Sequence, residues 1–394
     1  MCTAYSSENG FCCLSVAPQF RSSSHLSAEK ICRLSDQEIF SLMVEMRWGS
    51  AEKICCPHCQ CAQPYFIKSR QKWRCRGCKR EFSLTSGTLF ASHKLPLRTY
   101  LLALVFYINA KQGITSKRLA RELAVNYRTA FMLSHKIRES LKPDLDAQKI
   151  SGEVHIDTCE VNVLVEAETL KEQKADKVNN QDRTFYLAEI PPNMQQNVQK
   201  KQEKWQIKHQ QDEQKRRGNY ARYGRTLDYR AKSFVKEKRK LLVMTNNERQ
   251  QTLVFPIYAE NKATISYLVR KYVAQGSTIC TDGARAYKHL AALGYEHESA
   301  VHSKKIFKNS KGYHNNWAEN FFSRTRSLWV QLAQVKNVHL WAYANEMAFR
   351  LDHCVMPSGS MFLALLQKTL QTTVQDFWKG YGKTGYAVRD EMVF

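Results

Sequence analysis

His314-Asn-Asn316-Trp-Ala-Glu319-Asn-Phe-Phe-Ser-Arg-Thr-Arg326 decides how this chain is read. The stretch is helical in type and carries one acid, Glu319. Two isolated aspartates lie upstream, Asp157 in Val-His-Ile-Asp157-Thr and Asp282 in Thr-Ile-Cys-Thr-Asp282-Gly-Ala-Arg-Ala-Tyr. Each closes a short apolar run of strand type. Two strand-end aspartates and one helical glutamate form the donor set of a two-metal phosphoryl-transfer site. Carboxylate oxygens from separate elements converge there on two Mg²⁺ (or Mn²⁺) ions.

The helix supplies further candidates by its period. Asn316 and Glu319 are three apart and share a face, and Arg326 lies two turns beyond Glu319 on the same face. Arg326 is therefore a candidate phosphate contact beside the metals. The plainer reading of Asn316 and Glu319 is a helix-capping pair, which does not exclude metal contact. For Asp157 the plainer reading is a strand-end turn, and Asp282-Gly283 is also a common turn signal.

Composition bounds the partner. Across 394 residues, 60 Lys and Arg stand against 36 Asp and Glu, a formal charge of +24. That surplus favours nucleic acid or an anionic membrane surface. No apolar run approaches the roughly 18–20 residues that span a bilayer, and the first residues lack a basic region followed by an apolar one. The expectation is a soluble, cytoplasmic, nucleoid-associated protein with double-stranded DNA as its partner.

The 13 cysteines are an odd number and are clustered, which argues against a disulfide framework. Cys56-Pro-His-Cys59 and Cys75-Arg-Gly-Cys78 are two knuckles with 15 residues between them. Four thiolates at this spacing complete a tetrahedral Zn²⁺ site, with Trp73 and Phe82 as its scant apolar packing.

The remaining pattern divides the chain. Residues 1–33 are Ser-rich and read as a flexible tail. Residues 34–92 read as a zinc ribbon behind a leading helix, Leu34–Trp48. Residues 93–148 hold an apolar helix and then a helix-turn-helix. Its caps are Thr115 and Asn126, and its apolar positions are Leu119, Ala120, Leu123, Ala130, Leu133 and Ile137. The second helix of such a motif enters the major groove N-terminus first, so Tyr127, Arg128 and Lys136 are candidate DNA contacts. A plain helical hairpin with solvated basic residues is the alternative. Residues 149–356 alternate strands and helices with acids at strand ends, which suggests an RNase H-like α/β domain with a mixed sheet. Within it, about 170–240 is a Lys- and Gln-rich insertion. Residues 357–394 are a C-terminal extension.

From about Leu34 to Arg350 the chain resembles bacterial insertion-sequence transposases of the ISXO-like, zinc-ribbon branch of the DDE superfamily. The matching pieces are Cys56-Pro-His-Cys59, Phe82-Ser-Leu-Thr-Ser-Gly-Thr-Leu-Phe90, the Gly-Ile-Thr115 helix-turn-helix and Val-His-Ile-Asp157. Thr-Asp282-Gly-Ala-Arg-Ala-Tyr287, His314 to Arg326 and Glu346-Met-Ala-Phe-Arg350 complete the set. The resemblance implies an Asp-Asp-Glu domain that cuts DNA at transposon ends and joins the 3′-OH to target DNA, working as a homo-oligomer. It puts the third acid on Glu319, with Asn316 as a ligand or positioning residue. The family pattern has Glu directly after its first Asp, where this chain has Thr158, with Glu160 two further on. A competing reading keeps the ribbon and helix-turn-helix as a DNA-binding regulator on a non-catalytic scaffold. An RNA-directed nuclease is a third reading, less suited to a helix-turn-helix.

Overall fold

Residues 17–33, expected to be a loose tail, are folded. The computed structural model describes residues 5–6, 12–13, 17–21, 23–62, 64–143, 149–166, 234–246, 248, 250–257, 259–299, 316–332 and 335–373. Two short strands, β1 (Tyr5–Ser6) and β2 (Cys12–Cys13), pair antiparallel. Helices α1 (Pro18–Arg21) and α2 (Ala28–Cys32) follow, and Ser27 caps the second. Phe20 and Ile31 are fully buried. The Phe20 ring lies 5.4 Å from that of Phe362, near the far end of the chain. Scattered apolar residues like these give no periodic signal, and the ring partner of Phe20 lies more than 300 residues away.

Ser35 opens α3 (Asp36–Trp48) with a reciprocal capping box to Glu38. The ribbon comes next, with β3 (Pro64–Ile67), β4 (Lys72–Cys75) and β5 (Glu81–Phe82) in one antiparallel sheet. Trp73 is its core. It stacks on Phe40 at 5.6 Å and Phe82 at 5.8 Å, and packs against Phe66 at 5.0 Å. The Ser83–Phe90 stretch is tied down by Arg47, whose guanidinium donates to the carbonyl oxygens of Leu84 and Ser86.

Helix α4 (Leu97–Asn109) is buried along most of its length. Two shorter helices, α5 (Ser116–Glu122) and α6 (Tyr127–Glu139), are capped by Thr115 and Asn126 as expected. Ala124 takes a left-handed conformation in the turn between them. Gly113 precedes them at φ +85°, and a Cβ there would collide with the Leu328 side chain.

The large sheet holds β6 (Glu153–Glu166), β7 (Phe234–Asn246), β8 (Gln251–Ile257), β9 (Thr278–Thr281) and β10 (Glu296–Ser299) in the order β10-β9-β6-β7-β8. β6, β7 and β8 form an antiparallel meander, while β9 and β10 run parallel to β6. Residues 234–240, expected within the basic insertion, are the first half of β7. The remainder of that insertion lies outside the described residues. Helix α7 (Lys262–Tyr272) covers one sheet face, packing with Val154, Ile156, Leu242 and Ile279. Helices α8 (Asn316–Leu332) and α9 (Leu340–Asp352) cover the other, against Val161, Val163, Leu241 and Val243. The alternation follows from the period of two along a strand. The segment Tyr287–Leu293 is a turn leading into a 3₁₀ turn at Ala291–Leu293.

Helix α10 (Ser358–Gln371) leaves the expected extension and packs back on α1, α3 and α4. A Cβ on Gly359 would overlap the Phe20 carbonyl. The helical region and the sheet are joined by a buried ionic cluster. Arg138 of α6 and Arg350 of α9 donate to opposite oxygens of Glu346, at 2.7 and 2.9 Å. Burial works against the Glu346 charge, but the two guanidiniums win and hold its pKa below the usual carboxylate value.

Candidate functional site

A cysteine cluster and a group of acids take shape from these elements. In the ribbon, the four ligand sulfurs of Cys56, Cys59, Cys75 and Cys78 lie within 4.8 Å of one another. The Cys59–Cys75 and Cys56–Cys78 sulfurs are 3.5 and 3.7 Å apart. A tetrahedron with Zn–S bonds near 2.3 Å has edges of about 3.8 Å, so the set fits a structural Zn²⁺. Both knuckles are built alike. Gln60 and Lys79 directly follow them in left-handed conformations, with amides donating to Cys56 O and Cys75 O at 2.9 and 3.1 Å. The His58 amide also points at the Cys56 sulfur. The Cys61 backbone amide, and then the Cys75 thiol, draw the Cys59 thiol down to about 7, towards the thiolate that binds metal. Cys55 and Cys61 flank the cluster without joining it.

The acidic centre sits where the parallel ladder of the large sheet stops. β6 and β9 pair from Glu153↔Thr278 to Ile156↔Thr281. Asp157 and Asp282 are each the next residue on their strand. They therefore lie side by side, on the sheet face that α8 covers. The strand does not stop at Asp157; β6 continues to Glu166, paired with β7. What ends at Asp157 is the pairing with β9. Glu319 comes from the first turn of α8, which packs on β6 and β7.

The electrostatics record the convergence. Burial pushes the Asp157 carboxyl up to about 7. The Thr158 amide opposes this at 2.7 Å, and the charges of Asp282, Glu260 and Glu319 add to it. The three expected acids do not close into one set within 4.8 Å. Arg326 is exposed on α8 and its charge reaches Cys159, two residues beyond Asp157 on the same face. The side chain of Asn316 and all of His314 lie outside the described residues.

Glu260 is the residue that sequence reasoning missed. It follows β8 and accepts hydrogen bonds from Thr158 Oγ1 and Lys240 Nζ, both at 2.8 Å. Burial resists its charge, yet Lys240, Thr158 and the Tyr287 hydroxyl hold its pKa below the usual range. Thr158, standing where the resembled family has Glu, thus ties its strand to an acid from another loop. Nothing in Tyr-Ala-Glu260-Asn-Lys marks it; the only local signal is the Asn261 cap of α7.

On the helical pair, Tyr127 and Arg128 are exposed at the N-terminus of α6. Lys136 lies in the last turn, and burial lowers its pKa. Of the three candidate contacts it is the least available to a phosphate.

A zinc ribbon followed by an α/β domain with converging acids defines a class, and the comparisons agree with it. Residues 34–81 match the model of the transposase zinc-ribbon domain. Residues 200–352 match the ISXO2-like transposase domain, a span that includes Asp282, Glu319 and Arg326 and begins after Asp157. The chain belongs to the ISXO-like, zinc-ribbon transposases. It is also similar to an uncharacterized protein in the transposable element ISH50 of Halobacterium salinarum. The two are 22% identical over 341 residues, 86% of this chain and 98% of that protein. No solved structure matches the chain. Among the described residues, no helix is long and apolar enough to cross a membrane.

Proposed function

We propose that this transposase cleaves DNA at the ends of its element and joins the freed 3′-OH to target DNA, using Asp157, Asp282 and Glu319 as the metal-holding acids. The observation that carries the reading is the β6–β9 register that sets Asp157 beside Asp282, supported by the charge of Glu319 on α8 acting on Asp157. The strand order, an antiparallel triple extended by two parallel strands, supports an RNase H-like domain. These acids would hold two Mg²⁺ or Mn²⁺ ions, which would supply activation of the attacking oxygen and stabilisation of the leaving 3′ oxygen. The chain's own residues do the rest. Asp157, on the central strand β6, would hold metal together with Asp282 and Glu319. Arg326 holds a phosphate beside them. Glu260 and Thr158 position the strand that carries Asp157. Asn316 is retained as a ligand or positioning residue next to Glu319.

DNA is engaged by α5 and α6 acting as a helix-turn-helix, with Tyr127 and Arg128 at the groove. The basic surplus supplies salt-sensitive phosphate binding. Bringing two element ends together needs two active centres, so the working form is a homo-oligomer on DNA.

The test is cleavage of labelled DNA carrying the repeats that flank the gene. Metal-dependent nicking at the repeat boundary, absent in Asp157→Ala, is expected. Tight binding with no nicking in the wild-type chain would replace this reading with that of a DNA-binding regulator.

A further inference from the structure

We infer that this chain carries a second zinc-type site, built from Glu153, His155 and Cys280 and separate from both the ribbon and the acidic centre. His155 and Cys280 are directly opposed in the parallel ladder of β6 and β9. Glu153 lies two residues before His155, so all three side chains share one sheet face. Their ligand atoms lie within 4.8 Å of one another. The Glu153 carboxylate is 3.0 Å from His155 Nε2.

The donor chemistry selects the ion. A thiolate, an imidazole and a carboxylate suit a borderline divalent ion such as Zn²⁺, and a thiol is foreign to Mg²⁺. Zinc bonds of about 2.0–2.3 Å in a tetrahedron require ligand atoms roughly 3.3–3.6 Å apart. The Glu153–His155 pair at 3.0 Å would open by a few tenths of an ångström, and the distances to Cys280, bounded by 4.8 Å, would close by at most about 1.5 Å. His155 and Cys280 are each 2% exposed, while the Glu153 side chain is 37% exposed. The site is therefore a buried pair with a mouth at Glu153. Its fourth position falls to water or to Glu298, which pairs with Cys280 from β10. Binding releases the Cys280 thiol proton to solvent, as zinc–thiolate bonds require.

The position gives the site a role. Asp157 and Asp282 each follow a ligand of this site by two residues, on the same strands and the same face. An ion shared by His155 and Cys280 clamps β6 to β9 about 7 Å below the acids. It fixes their separation without touching DNA.

Zinc counted by mass spectrometry on the purified full-length chain tests the inference. Two zinc ions per chain are expected in the wild type. One is expected in Cys280→Ser, in Glu153→Gln and in Cys78→Ser, which isolates the sheet site from the ribbon. Glu153→Gln sits at the mouth and keeps the variant set usable if Cys280→Ser fails to fold. In the Cys78→Ser chain, added Co²⁺ should give a thiolate charge-transfer band that Cys280→Ser then removes. A single zinc in the wild type, unchanged in Glu153→Gln and Cys280→Ser, would overturn the site. A cobalt band indifferent to Cys280 would do the same.

Discussion

The ribbon draws its four thiols, and the acidic centre its three carboxylates, from very different stretches of chain. Cys56 to Cys78 is one short hairpin region, and each knuckle shapes itself through its own backbone amides. Asp157, Asp282 and Glu319 come from a strand, a strand end and a helix that only the completed sheet brings together. The first centre is preorganised by local geometry. The second stores like charge that only tertiary structure confines, which is why burial and its neighbours raise Asp157. A ribbon stabilises a fold by binding metal. An acidic centre costs stability until metal arrives.

Four experiments sharpen that contrast. Cys75→Ser should release the ribbon zinc altogether and unfold the ribbon, since such domains fold with their metal. Zinc stoichiometry and proteolysis of residues 50–92 read this out, and an unchanged count would reject the assignment. Glu346→Ala removes the anion between two buried arginines. The cost should be about 3–5 kcal/mol, the range for breaking a buried pair from one side. Chemical denaturation measures it, and a loss below about 1 kcal/mol would mean that α6 and α9 hold together without the cluster.

Asp282→Asn should leave DNA-end binding intact and reduce strand cleavage by at least about 10²–10³-fold, the range for losing one transition-state charge stabiliser. Loss of both functions together would give Asp282 a folding role instead. The smallest effect is the most diagnostic. The folded-state pKa of Asp157 lies near 7, above the ordinary value of about 4. A raised carboxyl favours folding while protonated, and that advantage is lost as pH rises from about 4 through 7. In chelator at pH 8, Asp157→Asn should therefore melt higher than wild type, by about 0.5–2 kcal/mol of stability. The gap should close near pH 4. A variant that is less stable at pH 8 would contradict the strained-centre account.

Much of this was legible in the residues. The cysteine spacing identified the ribbon, and the caps at Thr115 and Asn126 placed two helices to the residue. Helix α8 contains the stretch from Asn316 to Arg326 that the residues marked as helical, and runs on to Leu332. Where reading failed, distance was the cause. The N-terminal residues 17–33 looked loose because Phe20 finds its partner at Phe362. Residues 234–240 looked like insertion because Lys236, Lys238 and Lys240 alternate along a strand edge that only pairing with β6 makes a strand.

The sequence by itself determined which chemistries were available: four thiols at knuckle spacing, scattered acids, capped helices and a basic surplus. Those are properties of neighbouring residues, fixed by backbone reach and hydrogen bonds within a turn or two. Only tertiary structure decided which acids meet. The β6–β9 register sets Asp157 beside Asp282, brings His155 opposite Cys280, and lets Thr158 reach Glu260. Register is a long-range choice, made by which apolar face is buried, and a slip of one residue would have turned every one of these side chains to the other side of the sheet.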